Sequence, residues 1–189
     1  MTGKKTAARR TAQSRPVSTS RRHVAQVMRR MSAALRPMAE PAVEKIAEAE
    51  QADPFKVLVA TMLSAQTRDP VTLEASNRLF ARASTPDAMV RLRVSTTEQL
   101  IYPVSFYRHK ARHLKATCRR LLDRYGGRVP TTMAELLTLP GVGRKTANLV
   151  LIVALRSEDN ICVDTHVHRI SNRLGWVQTR TPDETEQAL

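Results

Sequence analysis

Two glycines between two helical patterns constrain this chain more than any other feature. One helical pattern covers 133–138, a second covers 144–155, and the sequence Pro-Gly-Val-Gly stands between them at 140–143. Proline cannot continue the first helix, while Gly141 and Gly143 permit positive φ and close approach of another backbone. The stretch therefore predicts a helix, a tight hairpin and a second helix. No alternating strand pattern or internal repeat is evident elsewhere.

The same hairpin is a candidate anion site. The first N–H groups of the helix that follows Gly143 have no intrahelical partner, and such groups suit a phosphate. Arg144 adds positive charge beside them. Because these N–H groups read the nucleic acid backbone and no base edge, binding is predicted to be independent of sequence. We therefore assign nucleic acid binding to Gly141, Val142, Gly143 and Arg144.

Lys145, at the start of the second helix, is the candidate nucleophile. A helix over 144–155 carries the chain roughly 18 Å away, and residues 156–163, at about 3.3 Å each, can span that distance back. The carboxylate of Asp164 can therefore meet the Lys145 amine at one end of the hairpin. Two alternatives stay open: Lys145 as an ordinary solvated lysine, and Asp164 as the N-cap of a helix over 166–174, alone or in addition to the pairing.

These residues resemble a known family. The segments LPGVGRKTAN at 139–148 and VDTHVHRISNRLG at 163–175 resemble the helix-hairpin-helix and the glycine/proline-rich loop with catalytic aspartate of the endonuclease III family of DNA glycosylases. Upstream, LSAQ at 63–66 and Asp69 resemble that family's LSAQ-x-x-D segment. The resemblance covers about 38–189, and it implies an all-α helical bundle that contains the helix-hairpin-helix at about 133–155.

The resemblance also implies roles for four residues. Lys145 would be the nucleophile and Asp164 its acidic partner, while Gln66 would enter the gap left by an extruded base. His166 matches a position beside the active site, so we take it as a DNA-binding, hydrogen-bonding residue. Without the resemblance, Gln66 would be interpreted as a solvated helix end.

The implied function is base-excision repair of double-stranded DNA. The family's usual activity is that of a bifunctional glycosylase and abasic-site lyase, which removes oxidised pyrimidines and cleaves 3′ to the site by β-elimination through a lysine Schiff base. The alternative is a non-catalytic helix-hairpin-helix protein that binds DNA without cutting it. A monofunctional adenine-specific mismatch glycosylase and a scaffold protein are further alternatives, and Lys145 argues against the first of these.

The chain departs from the family in its cysteines. Endonuclease III proteins usually continue into a helical segment with four closely spaced cysteines that hold a [4Fe–4S] cluster. This chain has two cysteines, Cys118 and Cys162, and such a cluster takes four thiolates. We therefore expect no cofactor from this chain and a truncated, incomplete second lobe, which begins at 176–189. The thiols are expected to be buried and reduced.

No metal site is predicted either. The histidine pairs have spacings able to bind a metal but lack a third ligand; they are His109 with His113 and His166 with His168. A long helix is predicted over 106–125, and its basic residues, Lys110 among them, are interpreted as a solvated face.

The distribution of charge predicts the class of binding partner and the end of an N-terminal arm. The formal net charge is +14 and the pI is about 11.0, which favours a polyanionic partner, and no apolar run approaches the roughly 20 residues of a membrane span. Residues 1–36 hold ten Lys or Arg and no acid, which predicts a disordered basic arm that adds DNA affinity through counterion release.

The domain organisation predicted beyond this arm is a second-lobe helix at 37–54 and a helical domain at 55–175. A monomer at the cytoplasmic nucleoid is expected, with a mitochondrial transit peptide as the alternative.

Overall fold

The chain folds into helices joined by short turns. The structure, a computed structural model, describes residues 20–189. Within that range there are eleven α-helices and no strand, so the prediction of an all-α fold is confirmed. The helices are α1 (Arg21–Leu35), α2 (Ala42–Ala49), α3 (Pro54–Ser64), α4 (Asp69–Arg82), α5 (Pro86–Arg91), α6 (Val94–Ile101), α7 (Tyr107–Tyr125), α8 (Met133–Leu136), α9 (Arg144–Val153), α10 (Thr165–Arg173) and α11 (Pro182–Ala188).

Helix α3 is the centre of the core. Its sequence is apolar on nearly every side, which suits a helix surrounded by others, and it packs against α2, α4, α7 and α9. Asp53 fixes its start, because one carboxylate oxygen accepts hydrogen bonds from the N–H groups of Phe55 and Lys56 at 2.9 and 3.0 Å. Leu58 and Leu63 are fully buried. The central helix therefore fixes where its last residues, and Gln66 just beyond them, lie.

Helix α7 runs behind the hairpin. One face buries Leu114, Cys118 and Leu121. The helix begins one residue later than predicted, because Phe106 has a left-handed backbone with φ of 55°. The assignment of Lys110 to a solvated face is wrong: only 9% of that residue is exposed.

The N-terminal arm differs from its prediction. Residues 1–19 lie outside the described range, so the prediction of disorder stays untested there. Residues 21–35 form helix α1, so the prediction is wrong for them. The Ser20 hydroxyl caps the first turn, accepting from the Arg22 N–H at 3.3 Å, and the segment contains no glycine or proline and many good helix formers. No residue of α1 is buried.

A smaller side-chain network joins the last two helices. The Thr185 hydroxyl, fully buried on α11, lies 2.6 Å from His168 Nδ1 on α10. Asn172 Oδ1 accepts a hydrogen bond from the Thr179 N–H at 3.0 Å, which holds the turn between the two helices. Helix α11 is thereby docked on α10. In the described part of the chain, no helix has the length and apolar character needed to cross a membrane.

Candidate active site and DNA interface

The predicted hairpin is present between α8 and α9. Gly141 has a φ of +78°, and a Cβ placed there would lie 2.7 Å from His113 Nδ1 and 3.0 Å from His113 Cβ. The Thr117 hydroxyl donates to the Pro140 carbonyl at 2.7 Å. Val142 is buried in the core. The hairpin is thus fastened against α7, and only glycine fits position 141.

Gly143 has a different role from Gly141. Its φ is −100°, so it does not use the positive φ that glycine permits; it is the N-cap residue of α9. A Cβ there would meet no atom within 4 Å. No side chain within 20–189 caps α9, so the N–H groups of its first turn are open to a ligand. An exposed, uncapped helix start with free space beside it is suited to a phosphate.

Arg144 is not free beside this helix start. Its Nε lies 3.1 Å from Glu186 Oε2, and its NH2 donates to the other carboxylate oxygen. The hydrogen bond to Glu186 raises the pKa of Arg144, and the same bond lowers the pKa of Glu186. This pair links α9 to α11 and occupies the guanidinium. DNA binding by Arg144 therefore stays a prediction.

Lys145 and Asp164 meet, as the spacing predicted. Lys145 Nζ lies 3.3 Å from Asp164 Oδ2, and 59% of the lysine side chain is exposed. The other oxygen, Asp164 Oδ1, accepts the N–H groups of His166 and Val167 at 2.9 Å each. The geometry therefore agrees with both interpretations of Asp164, as a helix N-cap and as the partner of Lys145. The carboxylate caps α10 and faces the amine.

The charge state of Asp164 follows from these contacts. Partial burial by itself raises the pKa of this carboxyl. The Val167 N–H, the positive charge and hydrogen bond of Lys145, and the His166 N–H outweigh burial and hold the pKa of Asp164 below its ordinary value. Asp164 is therefore an anion at neutral pH, fixed next to an accessible amine.

Gln66 and Phe106 lie on two linked loops. Gln66 follows the end of α3 with a φ of 54° and is exposed. Phe106, which precedes α7, has a φ of 55° and is 63% exposed. The Ser105 N–H donates to Thr67 Oγ1 at 3.2 Å, which joins the loops. A left-handed backbone costs a non-glycine residue roughly 1–2 kcal/mol, and such conformations cluster at functional sites.

The sequence did not predict the left-handed backbone of Phe106, because this residue continues the helical pattern of 107–125. His166 was identified, but only its backbone N–H contacts Asp164, and its side chain is exposed. The roles of Gln66 and His166 toward DNA stay predictions.

The cysteines of this chain do not fit a [4Fe–4S] ligand set. Cys118 is fully buried in the core, and burial raises the pKa of its thiol to about 12, which is the opposite of what a thiolate ligand requires. Burial likewise raises the pKa of Cys162. Among residues 20–189, no group of three or more His, Cys, Asp or Glu side chains could hold a metal ion.

Known proteins resemble this chain in sequence. Residues 59–189 match the family model described as HhH-GPD superfamily base excision DNA repair protein. Endonuclease III of Thermotoga maritima is 51% identical over 140 residues, which are 74% of this chain and 65% of that protein. Endonuclease III-like protein 1 of Gallus gallus is 48% identical over 137 residues, which are 71% of this chain and 49% of that protein. The chain thus spans less than two thirds of either relative.

Solved structures resemble it in fold. A non-covalent endonuclease III–DNA complex superposes with a TM-score of 0.77 and 34% identity, over 90% of this chain and 76% of that one. A trapped covalent endonuclease III–DNA intermediate superposes with a TM-score of 0.68 and 38% identity, over 78% of this chain and 73% of that one.

Proposed function

The chain belongs to the HhH-GPD superfamily of base excision DNA repair proteins, and on that premise we propose that it is a bifunctional DNA glycosylase and abasic-site lyase. The observation that carries the proposal is the 3.3 Å approach of Lys145 Nζ to Asp164 Oδ2 at the hairpin. A nucleophile beside a fixed carboxylate that can accept its proton is an arrangement that activates nucleophiles for covalent catalysis. One structural relative was trapped as a covalent intermediate with DNA.

The first step is base release. The neutral Lys145 amine attacks C1′ of the damaged nucleotide, the glycosidic bond breaks, and its electron pair leaves with the base, which takes up a proton. Asp164, an anion at neutral pH, stabilises the positive charge that develops on the sugar. Before attack the Lys145 ammonium must lose a proton, and Asp164 Oδ2 is the acceptor next to it. Passing that proton to the departing base restores the carboxylate that faces the positive charge on the sugar.

The second step is strand cleavage. A proton moves from the amine to the ring oxygen O4′, and the C1′–O4′ bond breaks with its electron pair on O4′. This opens the sugar ring and leaves a Schiff base between Lys145 and C1′. Loss of a proton from C2′ then expels the 3′ oxygen as a phosphate ester, which cuts the strand 3′ to the lesion. Hydrolysis of the imine returns the amine. We assign oxidised pyrimidines as the substrates, because they are the usual substrates of the family that the motifs resemble.

The remaining residues bind the DNA. The open N–H groups after Gly143 would bind a backbone phosphate, and Gln66 would fill the space that the extruded base leaves. Extrusion costs a few kcal/mol, and contacts of this kind offset that cost. We propose a monomer that acts on double-stranded DNA, located with the nucleoid in the cytoplasm. A step through a metal or a cluster is not needed for this chemistry.

Borohydride trapping tests the proposal. With duplex DNA that carries an oxidised pyrimidine, we expect a covalent protein–DNA adduct, and peptide mapping should find it at Lys145. Lys145→Ala should abolish the adduct and retain duplex binding. Lys45→Ala, at an exposed lysine of α2 away from the hairpin, is the matched control and should trap as the wild type does.

Two outcomes would overturn the proposal. Trapping that survives Lys145→Ala would reject the nucleophile. Duplex binding by the wild type with no nicking of abasic DNA would favour the non-catalytic DNA-binding alternative.

A further inference from the structure

Lys110 holds the segment that carries Gln66. Its Nζ lies 2.7 Å from the Leu63 carbonyl, 2.6 Å from the Ala65 carbonyl and 3.2 Å from Thr67 Oγ1. An ammonium group has three N–H donors, so these three acceptors use all of them. The acceptors stand on both sides of Gln66 in the chain. A single side chain of α7 therefore fixes the turn that begins at the end of α3.

The contact is a helix cap supplied from another helix. The Leu63 and Ala65 carbonyls lie at the C-terminal end of α3, where carbonyls lack intrahelical partners and the helix dipole favours a cation. No carboxylate in residues 20–189 lies within ion-pair distance of Lys110. Burial lowers the pKa of Lys110 to about 8. Burying a cation without a counter-ion costs free energy. An apolar side chain at position 110 would fill the same space at a smaller desolvation cost.

The same lysine connects Gln66 to Phe106, which are two of the exposed residues with a left-handed backbone. Its ammonium shares Thr67 Oγ1 with the Ser105 N–H, and its backbone N–H makes the first-turn helix bond to the Phe106 carbonyl at 3.0 Å. Gln66 and Phe106 both have φ near 55°, which is costly for residues with a Cβ. These contacts offset that cost and hold both residues outward.

We infer that Lys110 is the positioning residue that holds Gln66 in the conformation needed to stabilise an extruded base. The inference rests on the proposed function. Lys110 does not contact the reacting atoms; it acts through the backbone on either side of Gln66. It should therefore affect the step in which a paired base leaves the duplex, and should not affect chemistry at a site that has already lost its base.

Two substrates separate these steps. The first is a duplex with an oxidised pyrimidine, for which single-turnover base release is measured. The second is a duplex with a pre-formed abasic site, for which borohydride trapping is measured. For Lys110→Met, which keeps an unbranched side chain without the charge, we expect base release to slow by about tenfold or more and trapping to change less than about twofold.

Gln66→Ala provides the coupling test. If Lys110 acts through Gln66, the double variant Lys110→Met with Gln66→Ala should release base no more slowly than the slower single variant. Lys110→Arg, which keeps a cation, should recover part of the rate. Thr67→Val keeps the shape of the side chain and removes the acceptor that Lys110 shares with the Ser105 N–H. It keeps the test available if Lys110→Met does not fold; a smaller loss of base release with normal trapping is expected.

The outcomes are distinct. Parallel loss of base release and trapping, together with a lowered melting temperature, would show that Lys110 is only structural and would overturn the inference. Multiplicative losses in the double variant would also overturn it. Failure of the proposed function would appear separately, as the absence of wild-type trapping on abasic DNA.

Discussion

Replacing Gly141 by alanine should damage the hairpin for two measurable reasons. The first is backbone strain, because φ is +78° at this position. The second is crowding: the new Cβ would lie 2.7 Å from His113 Nδ1 and 3.0 Å from His113 Cβ. The exposed imidazole can rotate away from the new methyl group. The Cβ of His113 can move only with the backbone of α7.

The magnitude follows from these contacts. A left-handed alanine costs about 1–2 kcal/mol, and repacking against His113 falls at the lower end of the roughly 1–3 kcal/mol typical of overpacked sites. Reduced freedom of the unfolded chain returns about 0.4–1 kcal/mol. The net loss of stability is about 2 kcal/mol, which for a chain of this size lowers the melting temperature by roughly 4–8 °C.

Gly143→Ala is the matched control. With φ of −100° and no atom within 4 Å of the new Cβ, it should change the free energy of unfolding by less than about 0.5 kcal/mol. The methyl group would instead occupy the space beside the open N–H groups, so affinity for duplex DNA should fall. Thermal unfolding and a salt titration of DNA binding measure the two effects separately.

A third variant separates the imidazole from the rest of the crowding. His113→Ala combined with Gly141→Ala should recover only the part of the loss due to the imidazole, while the backbone strain and the contact with the Cβ of residue 113 remain. An unchanged melting temperature for Gly141→Ala would refute the account of the hairpin. Wild-type DNA affinity for Gly143→Ala would refute the phosphate site.

Two further predictions concern charged pairs. The pKa of Asp164 is lower in the folded protein than in the unfolded chain. Its contribution to stability is therefore present above the unfolded pKa, near pH 4, and is lost as the pH falls through the folded pKa. Asp164→Asn keeps an N-cap but has no carboxylate, so in urea unfolding it should lose less stability than the wild type between about pH 5 and pH 2; an equal loss would contradict this. Glu186→Gln should release Arg144 toward the hairpin, tighten duplex binding and steepen its salt slope by roughly one counterion. An unchanged slope would mean that Arg144 stays on α11.

Local patterns predicted the parts of the site that are close in sequence or joined by one helix. The glycines and proline indicated the hairpin, and the length of α9 indicated that Lys145 and Asp164 could meet. Both inferences depend on chain geometry alone. The backbone conformation of Gly143 could not be predicted, since a glycine can serve as an N-cap or leave space for a ligand without a positive φ.

Contacts between distant segments could not be predicted. Glu186 binds Arg144 across more than forty residues, as Lys110 does with the end of α3. A lysine in a basic helix is ordinarily solvated, and only the packing of α7 against α3 buries this one. Helix α1 was missed for another reason: its charge and small polar residues indicated disorder, while its helix propensity and the Ser20 cap had the larger effect.

The split use of the Asp164 carboxylate limits what evolution can place there. One oxygen starts a helix and the other faces the amine, so asparagine would keep the first task and lose the charge, whereas glutamate would keep the charge and displace it by a methylene. No other natural side chain supplies both oxygens at that reach. Mutational tolerance at this position should be low, since a single substitution there removes structure, charge or both.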